Sequence, residues 1–200
     1  EGSVVAEPLQ VAVARLVEGK VRRQIEVGHG IAVAGQDGAG AFLIEGQPRE
    51  EGVSLKVDWT YSRSFANEAP LCMHINSNTM ILSQDIKILA KYMAPLSQKA
   101  VEGALCENEE RLENYKIVLP HMSSYYFEPS VRKIIAELSP NREIPYWTNL
   151  RTAGNTGAAS IYIMLDEYLK TKPVAKGDRF LLFIPESGQF NFVLISLTVV

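Results

Sequence analysis

Cysteine is scarce in this 200-residue chain, which holds only Cys72 and Cys106. That excludes a disulfide framework, and neither residue has a partner cysteine at metal-site spacing. Both are expected to be buried or half-buried thiols in a reducing compartment. An excess of charge of one sign is also missing. Lys and Arg number 20 against 23 Asp and Glu, so no overall phosphate-neutralising surface exists and a basic nucleic-acid binder is excluded. No uninterrupted apolar run approaches the roughly 20 residues of a membrane span. The opening Glu-Gly-Ser-Val-Val has no basic segment ahead of an apolar one. The expectation is a cytoplasmic protein without membrane or nucleic-acid partners. What is present is a hydrophobic content of 46% with 22% charged residues, a globular composition that can bury a real core and argues against disorder.

Periodicity divides the chain into alternating elements. Residues 5–18 read as a helix on Val5, Leu9, Val13 and Leu16, stopped by Gly19. Glycines punctuate residues 24–45, and Ala41 to Ile44 reads as a buried strand. Gly46-Gln47-Pro48 followed by Arg49-Glu50-Glu51 forms the best boundary. Residues 53–61 read as a strand with Val53, Leu55, Val57 and Trp59 on one side. Residues 83–94 read as a helix with Ile86, Leu89, Ala90 and Met93 on one face, broken or restarted at Pro95. Glu107 to Glu113 reads as a solvated helical face. Tyr115 to Leu119 is a strand ending at Pro120-His121. A helix follows with Val131, Ile134, Ile135 and Leu138 in register, then a buried helix over 155–170. Buried strands at 180–184 and 192–200 close the chain, the first preceded by the Lys176-Gly177-Asp178 turn. Strands alternating with helices predict α/β layers, with helices covering both sheet faces.

Ligands in such sheets gather at the carboxyl ends of strands. Two polar residues fall there: His121, at the end of the 115–119 strand, and Asn155, at the head of a helix. By spacing alone His121 is equally a surface-loop histidine, and Asn155 a helix cap. His29 and His74 stand beside no other polar candidates. Gly28 and Gly30 begin a dinucleotide-like loop, but Val33 occupies the third glycine position, where close helix packing requires glycine. Gly35, Gly38 and Gly40 fit a close backbone approach instead. A nucleophile elbow at Ser187 would need glycines where Pro185 and Gln189 stand. Glu186 follows a buried strand, although turn chemistry accounts for its neighbours Pro185 and Gly188.

Taken together, Leu119-Pro120-His121, Ala153-Gly154-Asn155-Thr156-Gly157-Ala158-Ala159-Ser160 and Lys176-Gly177-Asp178 resemble the C-terminal half of β-ketoacyl-ACP synthase III-type condensing enzymes, of the thiolase superfamily. Gly35-Gln36-Asp37-Gly38-Ala39-Gly40-Ala41-Phe42 resembles the stretch that ends the first half of that fold. The turn Pro185 to Asn191 departs from the family's glycine-rich loop and is more similar to condensing enzymes of dialkylresorcinol and cyclohexanedione pathways. The resemblance implies a thiolase-like layered fold, a mixed sheet covered by helices. Residues 1–48 would be the tail of the N-terminal half and 49–200 the C-terminal half. Family members are longer, with two similar halves and a catalytic Cys at the head of a buried helix in the first. No such Cys heads residues 5–18, and neither Cys72 nor Cys106 stands at the matching place.

The resemblance further implies a decarboxylative Claisen condensation of an acyl thioester with a malonyl- or β-ketoacyl-type thioester. His121, through a ring N–H, and Asn155, through its amide NH₂, would hold the thioester oxygen as it becomes an enolate. No metal or tightly bound cofactor is implied; the substrate is a phosphopantetheine thioester on CoA or an acyl carrier protein. The partners expected are that carrier and a second polypeptide, either a homodimer mate or the missing N-terminal half. The alternative is a non-catalytic thiolase-like subunit supporting an active condensing enzyme.

Overall fold

The computed structural model describes residues 10–12, 38–40 and 42–200. In chain order the strands and helices are β1 (Gln10–Ala12), β2 (Leu43–Glu45), β3 (Leu55–Ser64), β4 (Met73–Ile75), β5 (Leu82–Gln84), α1 (Ile86–Glu107), β6 (Ile117–Pro120), α2 (Glu128–Leu138), α3 (Leu150–Ala153), α4 (Ser160–Thr171), β7 (Arg179–Glu186) and β8 (Asn191–Val199). Six strands form one sheet in the order β2-β1-β3-β8-β7-β6. Among the described residues β6 and β7 run parallel and the other strand pairs of this sheet antiparallel, so the sheet is mixed. β4 and β5 form a separate hairpin.

The apolar run in β7 explains the layering. Successive side chains on a strand point to opposite faces. Phe180 and Leu182 join Ile161, Met164 and Leu165 of α4 in one core cluster. Leu181 and Phe183 join Leu89, Val101 and Ile135 of α1 and α2 in the other. Helices therefore cover both faces of the sheet, as the alternation of elements predicts.

Several local expectations change. Within residues 5–18, the described segment Gln10–Ala12 is a strand rather than a helix; the rest of that range lies outside the described residues, as do His29 and the stretch containing Gly28, Gly30, Val33 and Gly35. Pairing of Gln10–Ala12 to β2 and β3 selects the extended form there. β2 is an edge strand with Ile44 54% exposed, not a buried one. In β3, Val57 pairs with Leu197 but Trp59 pairs with Ser196. The extra residue, Asp58, forms a bulge that turns the strand over. Leu55 and Val57 thus pack toward α4, whereas Trp59 and Tyr61 pack toward α1 and α2.

Helix α1 does not stop at Pro95 but runs through it. Pro95 faces solvent, where water can reach the carbonyl that its missing N–H leaves free. The longer helix rotates the buried face: Leu89, Met93, Leu96, Ala100, Val101 and Ala104 are buried, while Ile86 and Ala90 are exposed. The 107–113 segment is also more than a solvated face. Leu112 is 1% exposed, and Glu110 accepts hydrogen bonds from the Arg179 guanidinium at 2.6 and 3.1 Å. Cys72 is buried as expected, but Cys106, near the end of α1, is exposed.

Candidate functional site

His121 sits one residue past β6. Its backbone N–H donates to the Phe183 carbonyl at 2.8 Å, extending the β6–β7 ladder by one step. Pro120 is tolerated just before it because β6 ends the sheet. The ring is largely shielded from solvent, and burial pushes its pKa below the ordinary histidine value. The imidazole is therefore neutral near pH 7, with one ring nitrogen a donor and the other an acceptor. Neither has a hydrogen-bond partner among the described residues.

Asn155 lies in the connection between α3 and α4. Gly154 adopts φ 73°, ψ −167°, a conformation open essentially to glycine alone, and so turns the chain into the loop. The α-helix expected from residue 155 begins at Ser160, after a single 3-10 turn, Gly157–Ala159. Asn155 stands just ahead of that turn, whose N-cap position is Thr156, so it is not the cap expected from the sequence; its Oδ1 accepts the Gly157 N–H at 3.0 Å in an Asx turn. Thr156 N–H bonds to Ser160 Oγ at 3.0 Å, fixing the next residue. The Asn155 amide NH₂ has no partner among the described residues. An acceptor engaged by the backbone and a free donor thus coexist on one side chain.

Strand end and loop place His121 and Asn155 on the wall of one cavity of about 520 Å³. Gly38 and Gly40 are close to this loop and to α4. A Cβ on Gly38 would lie 2.8 Å from Thr156 Cβ, and one on Gly40 would lie 2.3 Å from Tyr162 Cβ. The close approach expected of these glycines is present, and it braces the helix behind Asn155.

Of the remaining candidates, Glu186 and Ser187 also line this cavity, whereas His74 and Cys72 lie outside its lining. His74 is exposed on β4, bonded to Ser83 Oγ at 2.9 Å. Glu186 is exposed at the end of β7, where it accepts the Gly188 and Gln189 N–H groups at 2.6 and 3.3 Å and closes the turn to β8. Cys72 donates its thiol to the Ser187 carbonyl at 2.6 Å. Its pKa is pushed up to about 11 by burial, with the Glu186 and Asp85 carboxylates adding to it. Such a thiol is a poor nucleophile at neutral pH. Among the described residues no group of three or more His, Cys, Asp or Glu side chains could hold a metal ion, and no helix is long and apolar enough to cross a membrane. Sequence reasoning missed most of the rest of the cavity wall, which comes from α1, α2, the β4–β5 hairpin and β7. Their apolar stripes carry the same pattern whether they meet a packed core or an open pocket.

Residues 105–185 match the family model for the 3-oxoacyl-[acyl-carrier-protein (ACP)] synthase III C terminal. The likeness is to the C-terminal region of a synthase III-type condensing enzyme. A β-ketoacyl-[acyl-carrier-protein] synthase III of Clostridium kluyveri is 30% identical over 155 residues, covering 73% of this chain and 46% of that protein. The chain spans about half the length of the curated relatives it matches. Among solved structures, a tetronic acid condensing enzyme superposes with a TM-score of 0.61 at 17% identity, over 72% of this chain and 47% of that one. A 3-oxoacyl-[acyl-carrier-protein] synthase III from Aquifex aeolicus VF5 gives 0.53 at 22% identity, over 78% and 47%. The mixed sheet and its helices are thus the layered, thiolase-like arrangement of these synthases, in part of its extent.

Proposed function

We propose that this chain supplies the thioester-holding half of a condensing-enzyme site, with His121 and Asn155 as paired donors to a developing enolate oxygen. The observation that carries this reading is that both residues line one cavity and both keep a donor without a partner among the described residues. In the condensation, a malonyl- or β-ketoacyl-type thioester loses carbon dioxide and the electron pair passes onto the thioester carbonyl as an enolate. Fixed donors aimed at that oxygen stabilise the charge as it forms, and each is worth about 3–4 kcal/mol when removed singly. The enolate carbon then attacks an acyl group carried as a thioester on a cysteine, and the carbon–sulfur bond breaks to release the cysteine thiolate. Neither Cys72, buried and bonded to a carbonyl, nor Cys106, exposed near the end of α1, suits that task. The acyl-bearing thiol therefore comes from sequence beyond this chain, with 1–48 as the tail of the first half and 49–200 as the second.

Substrates are CoA or acyl-carrier-protein thioesters in fatty-acid or polyketide-like biosynthesis in the cytoplasm. Leu71, Ile75, Met80, Ile81, Leu82 and Ile86, on and beside the β4–β5 hairpin, are each 39–75% exposed. Apolar exposure on that scale supports an interface, either with the first half or with a homodimer mate. The unsuitable cysteines favour a second reading, a non-catalytic subunit that supports an active partner.

The test uses the full-length protein. His121→Ala and Asn155→Ala are each expected to cut condensation by at least about 100-fold while leaving the unfolding temperature near wild type. Near-wild-type turnover in either variant overturns the assignment. Absence of any acyl-cysteine in the wild-type protein after incubation with acyl-CoA selects the supporting-subunit reading.

A further inference from the structure

His121 borders two cavities. One is the large cavity that it shares with Asn155. The other is a small pocket of about 10 Å³, also lined by Thr148, Asn149 and Ser160. That is room for about one water molecule. Asn149 and Ser160 are each 7% exposed, so the small pocket is walled by buried polar side chains. Ser160 Oγ is engaged by Thr156, accepting its N–H at 3.0 Å and sharing a bond with its Oγ1 at 2.9 Å. Thr148 Oγ1 accepts the Leu150 N–H at 3.2 Å, which leaves its hydroxyl hydrogen to donate. Asn149 Nδ2 donates to Glu167 Oε2 at 2.8 Å. A carboxylate only accepts, so this bond fixes which way round the amide stands. Asn149 Oδ1 is left as an acceptor with no partner among the described residues. The wall thus offers one donor, one acceptor and His121.

A buried polar group without a partner costs free energy, and a water with two to four polar neighbours removes that cost. A neutral imidazole has a further need: which nitrogen carries its proton is set by the hydrogen bond that the other nitrogen makes. We propose that Thr148 and Asn149 position His121 through one water held in the small pocket. The water accepts the Thr148 O–H and donates one hydrogen to Asn149 Oδ1. Its second hydrogen goes to the ring nitrogen of His121 turned away from the large cavity. That nitrogen stays an acceptor, so the ring proton sits on the other one, facing the thioester oxygen. Thr148 and Asn149 are positioning residues, acting only through the ring. The inference rests on the donor reading of His121 for its effect on condensation. The choice of tautomer depends only on the small pocket.

Nitrogen NMR of the full-length protein at neutral pH tests it, with the histidines isotope-labelled and the His121 signals identified by their loss in His121→Asn. Wild type is expected to show one neutral tautomer. Thr148→Val keeps the side-chain shape and removes the donor, and Asn149→Leu removes the acceptor. Each is expected to show both tautomers, and Thr148→Ser to restore the single form. In condensation, kcat is expected to fall about tenfold in the Val and Leu variants with KM little changed, and to recover in the Ser variant. A mixture of tautomers in wild type overturns the proposal, as does a folded Thr148→Val protein that keeps a single one. Should neither variant fold, the wild-type spectrum decides alone. Mixed tautomers with undiminished kcat uphold the positioning of the ring and overturn only the donor reading of His121.

Discussion

The two faces of one sheet are built from the same strands and differ in how they are closed. Under α4 the interior is filled: Leu165, Phe180 and Leu55 are completely buried. A run of edge-to-face rings joins Trp147, Tyr168 and Phe180 at centroid distances of 5.4 and 5.5 Å. Under α1 and α2 the apolar surface is just as continuous but surrounds a hollow. The hollow takes up only part of that face, where Phe65, Phe190 and Phe192 are also fully buried. β7 serves both, sending Phe180 and Leu182 to the filled face and Leu181 and Phe183 to the hollow one.

Truncation should break this comparison most sharply. Leu165→Ala removes a side chain enclosed on all sides and is expected to cost about 4 kcal/mol, near the upper part of the range for buried leucines. Leu89→Ala, on the wall of the hollow, is expected to cost about 2 kcal/mol, because part of its surface already lacks neighbours. Denaturant unfolding of both variants measures the gap; equal losses would show that the hollow is filled in solution.

Overfilling is the next largest effect. Gly40→Ala would set a methyl 2.3 Å from Tyr162 Cβ, and a cost of about 1–3 kcal/mol is expected as α4 shifts. Such a shift should also displace the Asn155 loop, so condensation should fall with stability.

The two thiols separate the surface from the hollow side in a chemical readout. Cys106 is expected to react with iodoacetamide in the native protein, and Cys72 only after denaturation, as read by mass spectrometry of the two peptides. Early labelling of Cys72 would show that the segment between β3 and β4 opens. The same burial has a pH consequence. The folded state holds the Cys72 proton up to about pH 11, whereas the unfolded chain releases it earlier. Stability should therefore decline as pH rises from about 9 toward 11, and Cys72→Ala should lessen that decline, the part due to the buried Tyr115 and Tyr168 hydroxyls remaining.

The smallest effect belongs to His121. Its folded pKa lies below the ordinary value, so the unfolded state binds the proton first as pH falls. The stability contribution is complete above the unfolded value of about 6.5 and is lost as pH drops through the folded one. A His121→Asn variant should show a flatter stability profile between neutral and mildly acidic pH, measured by chemical denaturation.

Much of the site was legible before any coordinates. A histidine after a buried strand and an asparagine after a glycine in an apolar setting are local signals, and both residues meet on one cavity wall. The close approach of Gly38 and Gly40 was legible too, since residues without side chains in an apolar stretch imply a neighbour that needs the space. The wall itself was not. Met93, Val101 and Ile135 have the spacing of ordinary helix cores, and periodicity reports only which side of a helix avoids water.

By itself the sequence determined much of the alternation of strands and helices, the two-sided burial of β7 and the placement of His121 at the end of a strand; Asn155 stands in a loop rather than at the head of α4. These follow from short-range pattern: period two, period 3.6, and the turn chemistry of glycine and proline. Tertiary structure alone decided the phase reversal at Asp58, the passage of α1 through Pro95, the strand at Gln10–Ala12 and the hollow between α1 and α2. Each depends on what lies across the sheet or beyond the next helix. A bulge needs a partner strand to be measured against, a proline needs solvent on its open side, and a cavity exists only between surfaces that come from distant parts of the chain.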